Sequence, residues 1–326
     1  MTRNTRDTAG GRAYLDLQNR ARRERRPTQE YLTAYVIERW LARLSRSPFV
    51  NDFVLKGGVL LAALGERRPT ADGDALARNM ANDAQVVAAR VAEIAAIADD
   101  DGVVFVPDTA STRTIRDGAL YHGVRVAVEA KIGTARVKLR LDVNFGDPVT
   151  PAPRVVELPA LRPGMEPVRV LGYPIETALA EKLMTAVDLE AGNTRVRDYA
   201  DIYTLTGAHD LAYAPMRRAI EATAGFRGTA LRPLLRRLVT WWLPALPRMR
   251  HTGGSWARSV GTCRSVSPRL SLPPSSSSIR SWTAVRRMAI GIRQIAGGSI
   301  SNPREASLGR PTWGPIVVVS EEILAH

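Results

Sequence analysis

Lysine and cysteine are both scarce in this chain of 326 residues. Of its 46 Lys and Arg residues only Lys56, Lys131, Lys138 and Lys182 are lysine, the bias of a GC-rich coding sequence. The one cysteine, Cys263, can form no internal disulfide and belongs to no CxxC or Cys/His cluster of zinc spacing. A structural zinc is excluded and a reducing compartment fits. The four histidines, His122, His209, His251 and His326, form no cluster, so a histidine-based mechanism has no support. No apolar run reaches the roughly eighteen residues that a membrane span needs. The first thirty residues are polar and Arg-rich, without the apolar segment of a secretory signal. We expect a cytoplasmic protein with no membrane partner. GxxxxGK, HExxH and GxSxG are all missing, which removes the motif-based case for a P-loop NTPase, a zincin or an α/β hydrolase.

What is present is a core-forming composition, with 45% hydrophobic residues, and a net charge of +14. That charge points to a polyanionic partner, but its distribution is uneven. Residues 246–326 hold eleven Arg against Glu305, Glu321 and Glu322, which contributes +8 and leaves +6 to the body.

Four stretches follow from the pattern. Residues 1–26, with the run Arg20-Ala-Arg22-Arg23-Glu-Arg25-Arg26, read as a basic arm, either a solvated helix or a nucleic-acid contact. Residues 27–150 read as an α/β core. Leu32, Val36, Trp40 and Leu44 recur at helical spacing, and Phe53-Val-Leu55 is a short buried strand. Gly57-Gly58 is a tight turn and Val59 to Leu64 the helix that follows. Thr70 to Leu76 reads as a second strand, and Asp83 to Ala98 as a helix capped by Asn82 or Asp83. Val124-x-Val126-x-Val128 and Val137-x-Leu139-x-Leu141-x-Val143 alternate as two strands of a hairpin. Residues 151–245 form the expected helical C-terminal domain, with helical spacing from Tyr173-Pro174 through Leu179, Leu183, Val187, Tyr199, Ile202 and Leu205 to about Leu238. Residues 246–326 carry Ser275 to Ser278 and Pro273-Pro274 and sustain no period of 2 or 3.6, so we expect a low-complexity, disordered tail or one translated out of frame.

The chemistry begins at Asp72-Gly-Asp74, where strand geometry sets both carboxylates on one face. Two such charges about 4 Å apart repel by roughly 1 to 4 kcal/mol and tolerate each other best around a divalent cation. Asp-Gly-Asp is also an ordinary loop sequence. Fourteen residues before Asp72, Gly58 closes a strand-turn-helix unit. Glycine there admits a ligand close to the backbone, and the first amides of the helix suit a phosphate; an ordinary turn is the alternative. Asp142 lies on the face opposite Leu139, Leu141 and Val143, either completing a metal site, acting as a general base, or pairing with Arg140. Lys182 lies on an amphipathic helix and can be a plain surface lysine. Asp198 and Asp201 share a helix face and can pair with Arg195 or Arg197.

Leu55-Lys-Gly57-Gly58, Arg68-Pro69-Thr70-x-Asp72-x-Asp74, Leu141-Asp142-Val143, Ala180-Glu181-Lys182-Leu183 and Arg195-x-Arg197-Asp198-x-x-Asp201 occur in the order seen in AbiEii/MenT-type nucleotidyltransferase toxins, which the chain resembles over roughly residues 30–240. The resemblance implies a polymerase-β-like nucleotidyltransferase core with a mixed sheet, followed by a helical domain. It implies that Gly57 and Gly58 hold the triphosphate of an NTP, that Asp72 and Asp74 bind Mg2+ or Mn2+, that Lys182 touches the nucleotide phosphates, and that Asp198 or Asp201 stands beside it. It further implies RNA as acceptor, the tRNA 3′ end among such family acceptors, and a cognate antitoxin as partner. Two departures stand out: Arg197 replaces a frequent lysine, and Ala71 a frequent basic residue, which weakens the expected hold on nucleotide. Phosphoryl-type transfer depends on positioning and charge neutralisation, which metal-bound carboxylates and a lysine supply. The competing readings are a small-molecule or protein acceptor on the same core, and a non-catalytic, basic nucleic-acid-binding protein.

Overall fold

The computed structural model describes residues 4–117, 121–189 and 196–229. The expected tail, Cys263, Arg195 and the helical continuation to Leu238 lie outside the described residues.

The central helix is the one that the periodicity marks. Pro27 fixes the entry at φ −60°, and α2 (Thr28–Leu44) runs from it, buried along most of its circumference, with Trp40 edge-on to Phe53 at 5.5 Å. Phe53 opens β1 (Phe53–Lys56), which passes directly into the short α3 (Gly57–Ala63). β2 (Gly73–Ala77) starts three residues later than expected. Asp72 sits on the bend before it, where the Thr70 hydroxyl donates to the Asp72 carbonyl at 2.9 Å. α4 (Ala84–Ala95) is capped by Asp83, whose carboxylate accepts from the Gln85 and Val86 amides at 2.8 and 3.0 Å.

β3 (Val103–Asp117), β4 (Tyr121–Ile132) and β5 (Ala135–Asn144) form an antiparallel meander. β6 (Arg154–Leu158) and β7 (Val168–Gly172) form a second antiparallel pair, and β7 lies parallel to β1. The result is one seven-stranded sheet, ordered β3-β4-β5-β2-β1-β7-β6, parallel at β5/β2 and β1/β7 and antiparallel elsewhere. This is the expected α/β class with a mixed sheet. α5 (Ile175–Leu189), α6 (Val196–Ala208) and α7 (Tyr213–Arg227) follow it, with α5 packed on both others.

Two expectations are corrected. Strands do not end at residue 150, because β6 and β7 occupy the start of the stretch assigned to a helical domain and close the sheet on the β1 side. Nor do residues 4–26 form a free arm. α1 (Ala9–Glu24) buries Ala13, Leu17 and Ala21, and a Cβ at Gly10 would come within 2.7 Å of the Gly133 amide at the β4–β5 turn. The basic run is the outer face of a packed helix, with Arg20 donating to the Leu161 carbonyl at 2.7 Å.

Candidate functional site

Strand register, more than any single motif, assembles the site. Asp74 on β2 pairs in register with Asp142 on β5 and with Lys56 on β1, and Asp142 pairs with Arg125 on β4. Residues paired across neighbouring strands share a face, so Arg125, Asp142, Asp74 and Lys56 form a row across four strands. Asp72, two residues before Asp74, joins that face. Leu139, Leu141 and Val143 are buried on the opposite side, as the alternation requires.

Asp74 lies deepest in the electrostatics of this row. Burial pushes its carboxyl up from an ordinary 3.8 to about 6, and the charges of Asp72 and Asp142 add to the rise, while Lys56 and the Gly58 amide oppose it. Its carboxylate lies against Gly57, which has φ +64°; a Cβ there would sit 2.0 Å from Asp74 Oδ2. Only glycine meets both conditions without strain. The tight turn read from Gly57-Gly58 therefore bends the chain around an acid.

Asp142 does not pair with Arg140. Arg125 holds it through Nε and Nη2, both at 2.6 Å, and the same Nη2 reaches Asp72 at 3.2 Å. The cation beside Asp72, which Ala71 cannot supply from its own strand, comes from β4. Among the described residues no group of three or more His, Cys, Asp or Glu is disposed to hold a metal ion. The guanidinium of Arg125 is the cation between Asp72 and Asp142 in this arrangement.

A second charged cluster lies on the other side of Gly58. Lys182 on α5 donates to Asp198 at 3.0 Å and Asp201 at 2.7 Å, both on α6. Arg68 grips Asp201 with two parallel bonds, of 3.0 and 3.1 Å. Lys182 is therefore no plain surface lysine: its side chain is 11% exposed. Asp201 takes Lys182 and Arg68 as partners, where pairing with Arg195 or Arg197 was the alternative. The two clusters meet at Gly58, where a Cβ would lie 2.9 Å from Thr70 Oγ1 and 3.3 Å from an Arg68 nitrogen. Thr70 in turn lies within 3.4 Å of the Asp72 carboxylate.

Lys56 completes the floor. Its ammonium bonds to Asp147 at 2.6 Å and Glu181 at 2.7 Å, over the Tyr173 ring at 5.2 Å. Burial works against that charge, but Glu181, Tyr173 and Asp147 hold it well above its ordinary range. Glu181 is the neighbour of Lys182 on α5, so one turn of helix contacts both clusters. Arg125, Arg68, Lys56 and Asp147 were not singled out as site residues from sequence. Arg125 had a signal: it alternates with Val124 and Val126 in a strand whose partner carries Asp142. Asp147 had none, since an acid in a loop announces no partner.

No helix of the described residues is long and apolar enough to cross a membrane. No curated protein matches the chain. Two solved structures from Helicobacter pylori overlay on it with TM-scores of 0.41: that of JHP933, at 16% identity over 82% of this chain and 91% of the other, and that of a protein proposed to be a nucleotidyltransferase, at 17% identity over 82% and 94%. The family model described as nucleotidyl transferase AbiEii toxin, type IV TA system, matches residues 39–282, a stretch that contains Gly57, Gly58, Asp72, Asp74, Asp142, Lys182, Asp198 and Asp201. This chain belongs to the AbiEii family of nucleotidyltransferase toxins of type IV toxin–antitoxin systems.

Proposed function

We propose that the protein transfers a nucleoside monophosphate from an NTP to the 3′ end of an RNA, with tRNA the favoured acceptor, as a cytoplasmic toxin restrained by a cognate antitoxin. The observation that carries this reading is the convergence of Asp72, Asp74 and Asp142 on one sheet face, against the Gly57-Gly58 turn and next to the Lys182–Asp201–Arg68 cluster. Asp72, Asp74 and Asp142 have the hard oxygen donors that Mg2+ or Mn2+ prefers, and added positive charge opposes the burial and the neighbouring acids that raise Asp74. They would hold such an ion with the Arg125 guanidinium, which here spans Asp72 and Asp142, turned aside, and the ion would neutralise charge developing on the phosphates.

The chain's own residues do the rest. Transfer forms a bond from the acceptor hydroxyl oxygen to the α-phosphorus and breaks the bond to the bridging oxygen, releasing pyrophosphate. Lys182 and Arg68, both at the Gly58 side, orient the triphosphate. Asp198 and Asp201 hold these two cations in place. Asp142 takes the proton of the acceptor hydroxyl, or serves as the third carboxylate ligand while that proton passes to solvent water. Gly57 and Gly58 keep side chains away from the space where the phosphates pass.

Incubation with each α-labelled NTP, a divalent cation and total RNA tests this. Label on RNA is the expected result. Label on a small molecule or protein would keep the transferase and replace the acceptor, and no label anywhere would leave a non-catalytic protein.

A further inference from the structure

The sheet face that carries Asp72, Asp74 and Asp142 continues along β5, β4 and β3 as a surface of cations. In β5, Arg136, Lys138 and Arg140 alternate with Val137, Leu139 and Leu141; the apolar set is buried and the cationic set exposed. Register adds Lys131 of β4 opposite Arg136, and Arg113 of β3 opposite Arg125. Arg113 and Lys131 are also exposed. Among the described side chains one acid besides Asp142, Glu129 opposite Lys138, interrupts the array.

Among the described residues none of Arg113, Lys131, Arg136, Lys138 and Arg140 forms an ion pair. Off the sheet, Arg20, Arg26 and Arg217 are each held by an acid four residues on, Glu24, Glu30 and Glu221, while exposed Arg22, Arg23 and Arg218 form no ion pair among the described residues; what sets the strand cations apart is that register gathers them on one face. Unpaired like charges gathered on one flat face repel, and a sheet interior gives no reason to collect them. A polyanion lying along the face removes that repulsion.

We propose that the open face of β3, β4 and β5 is the docking surface for the phosphate backbone of a single-stranded RNA end, which it leads toward Asp142, Asp74 and Asp72. The proposal rests on the reading of the site as an RNA nucleotidyltransferase and adds the path of the acceptor. Spacing fits a strand of phosphates. Arg136, Lys138, Arg140 and Asp142 follow one another on one side of β5 at about 6.8 Å per step, so three cations precede the catalytic acid over roughly 20 Å. Guanidinium and ammonium groups both bind phosphate, with no demand on base sequence. This places the polyanion contact on the sheet rather than on the basic helices.

The test uses the full chain and a short end-labelled single-stranded oligoribonucleotide, with binding followed by anisotropy between about 50 and 200 mM salt. The variant R136A/K138A/R140A is expected to weaken binding at least tenfold. It should also reduce the slope of log K against log salt by about 2, the loss of three single-strand phosphate contacts. Binding of a fluorescent ATP analogue should not change. Lys138→Glu alone, at one exposed position, should shift affinity in the same direction, which separates lost charge from lost fold. R217A/R218A on α7 should leave the slope unchanged. Wild-type affinity and slope in the triple variant, or a loss in the α7 variant instead, would overturn the sheet surface while leaving the RNA acceptor standing. Failure of the unaltered protein to bind RNA would overturn both.

Discussion

In the proposed mechanism Asp74 is the central acid, because it is half-buried, faces two other acids and leans on a glycine that no other residue can replace without strain. Asp74→Asn keeps the shape and removes one negative charge from the group of three. Nucleotide transfer should fall about a hundredfold or more, as for loss of a charge aimed at a transition state. Thermal stability should hold or rise, since repulsion with Asp72 and Asp142 is relieved. A melting temperature several degrees lower would show instead that the carboxylate supports the fold. Gly57→Ala makes a second prediction. The left-handed backbone costs an alanine about 1 to 2 kcal/mol, and its Cβ has to displace the Asp74 carboxylate. Activity should drop far more than stability does, and full activity in this variant would contradict the close packing of Gly57 on Asp74. The paired carboxylates and the glycine turn were readable from spacing alone. The cations that organise them were not, because Arg125, Lys56 and Arg68 lie 53, 91 and 133 residues from partners that register and packing select.

At the scale of elements, amphipathic segments were legible and edge strands were not. α2, α4 and the β4–β5 hairpin declare themselves through one buried face. β3 carries Pro107-Asp-Thr-Ala-Ser-Thr-Arg-Thr through its middle, at a shift in register between Val106 and Ser111. An edge strand with one solvated side and an irregular centre reads as a loop. β6 and β7 are five residues each, too short to show a period, and their place in the sheet depends on β7 finding β1 more than a hundred residues away. α1 was misjudged for another reason: its many arginines mask the narrow stripe of Ala13, Leu17 and Ala21. Leu17 is fully buried against the body, so Leu17→Ala should lower stability by about 2 to 5 kcal/mol in urea unfolding. A loss under about 1 kcal/mol would mean that residues 1–26 are the detachable arm that composition suggested.

For the whole molecule, the composition gave a basic protein without saying where the charge acts. Over β3, β4 and β5 the sheet has one side packed by α1, α2 and α4 and one charged side, and Asp142 lies on the latter with the unpaired cations of these strands, in one row with Asp74. Transfer to RNA should therefore depend steeply on salt, falling about a hundredfold from roughly 50 to 200 mM if five phosphates are engaged on a single strand. NTP binding in the absence of RNA should vary much less over the same range, and a salt-independent reaction would argue for a small neutral acceptor. The central claim is that this family member moves the α-phosphate of an NTP at Asp72, Asp74 and Asp142. The most direct test runs the unaltered protein and Asp74→Asn side by side with RNA and a divalent cation, on NTP labelled at the α-phosphate in one set and the γ-phosphate in the other. We predict α-label on RNA and γ-label in pyrophosphate with the unaltered protein, and neither with Asp74→Asn. Label carried to RNA from the γ-phosphate, or equal transfer by both proteins, would contradict the account.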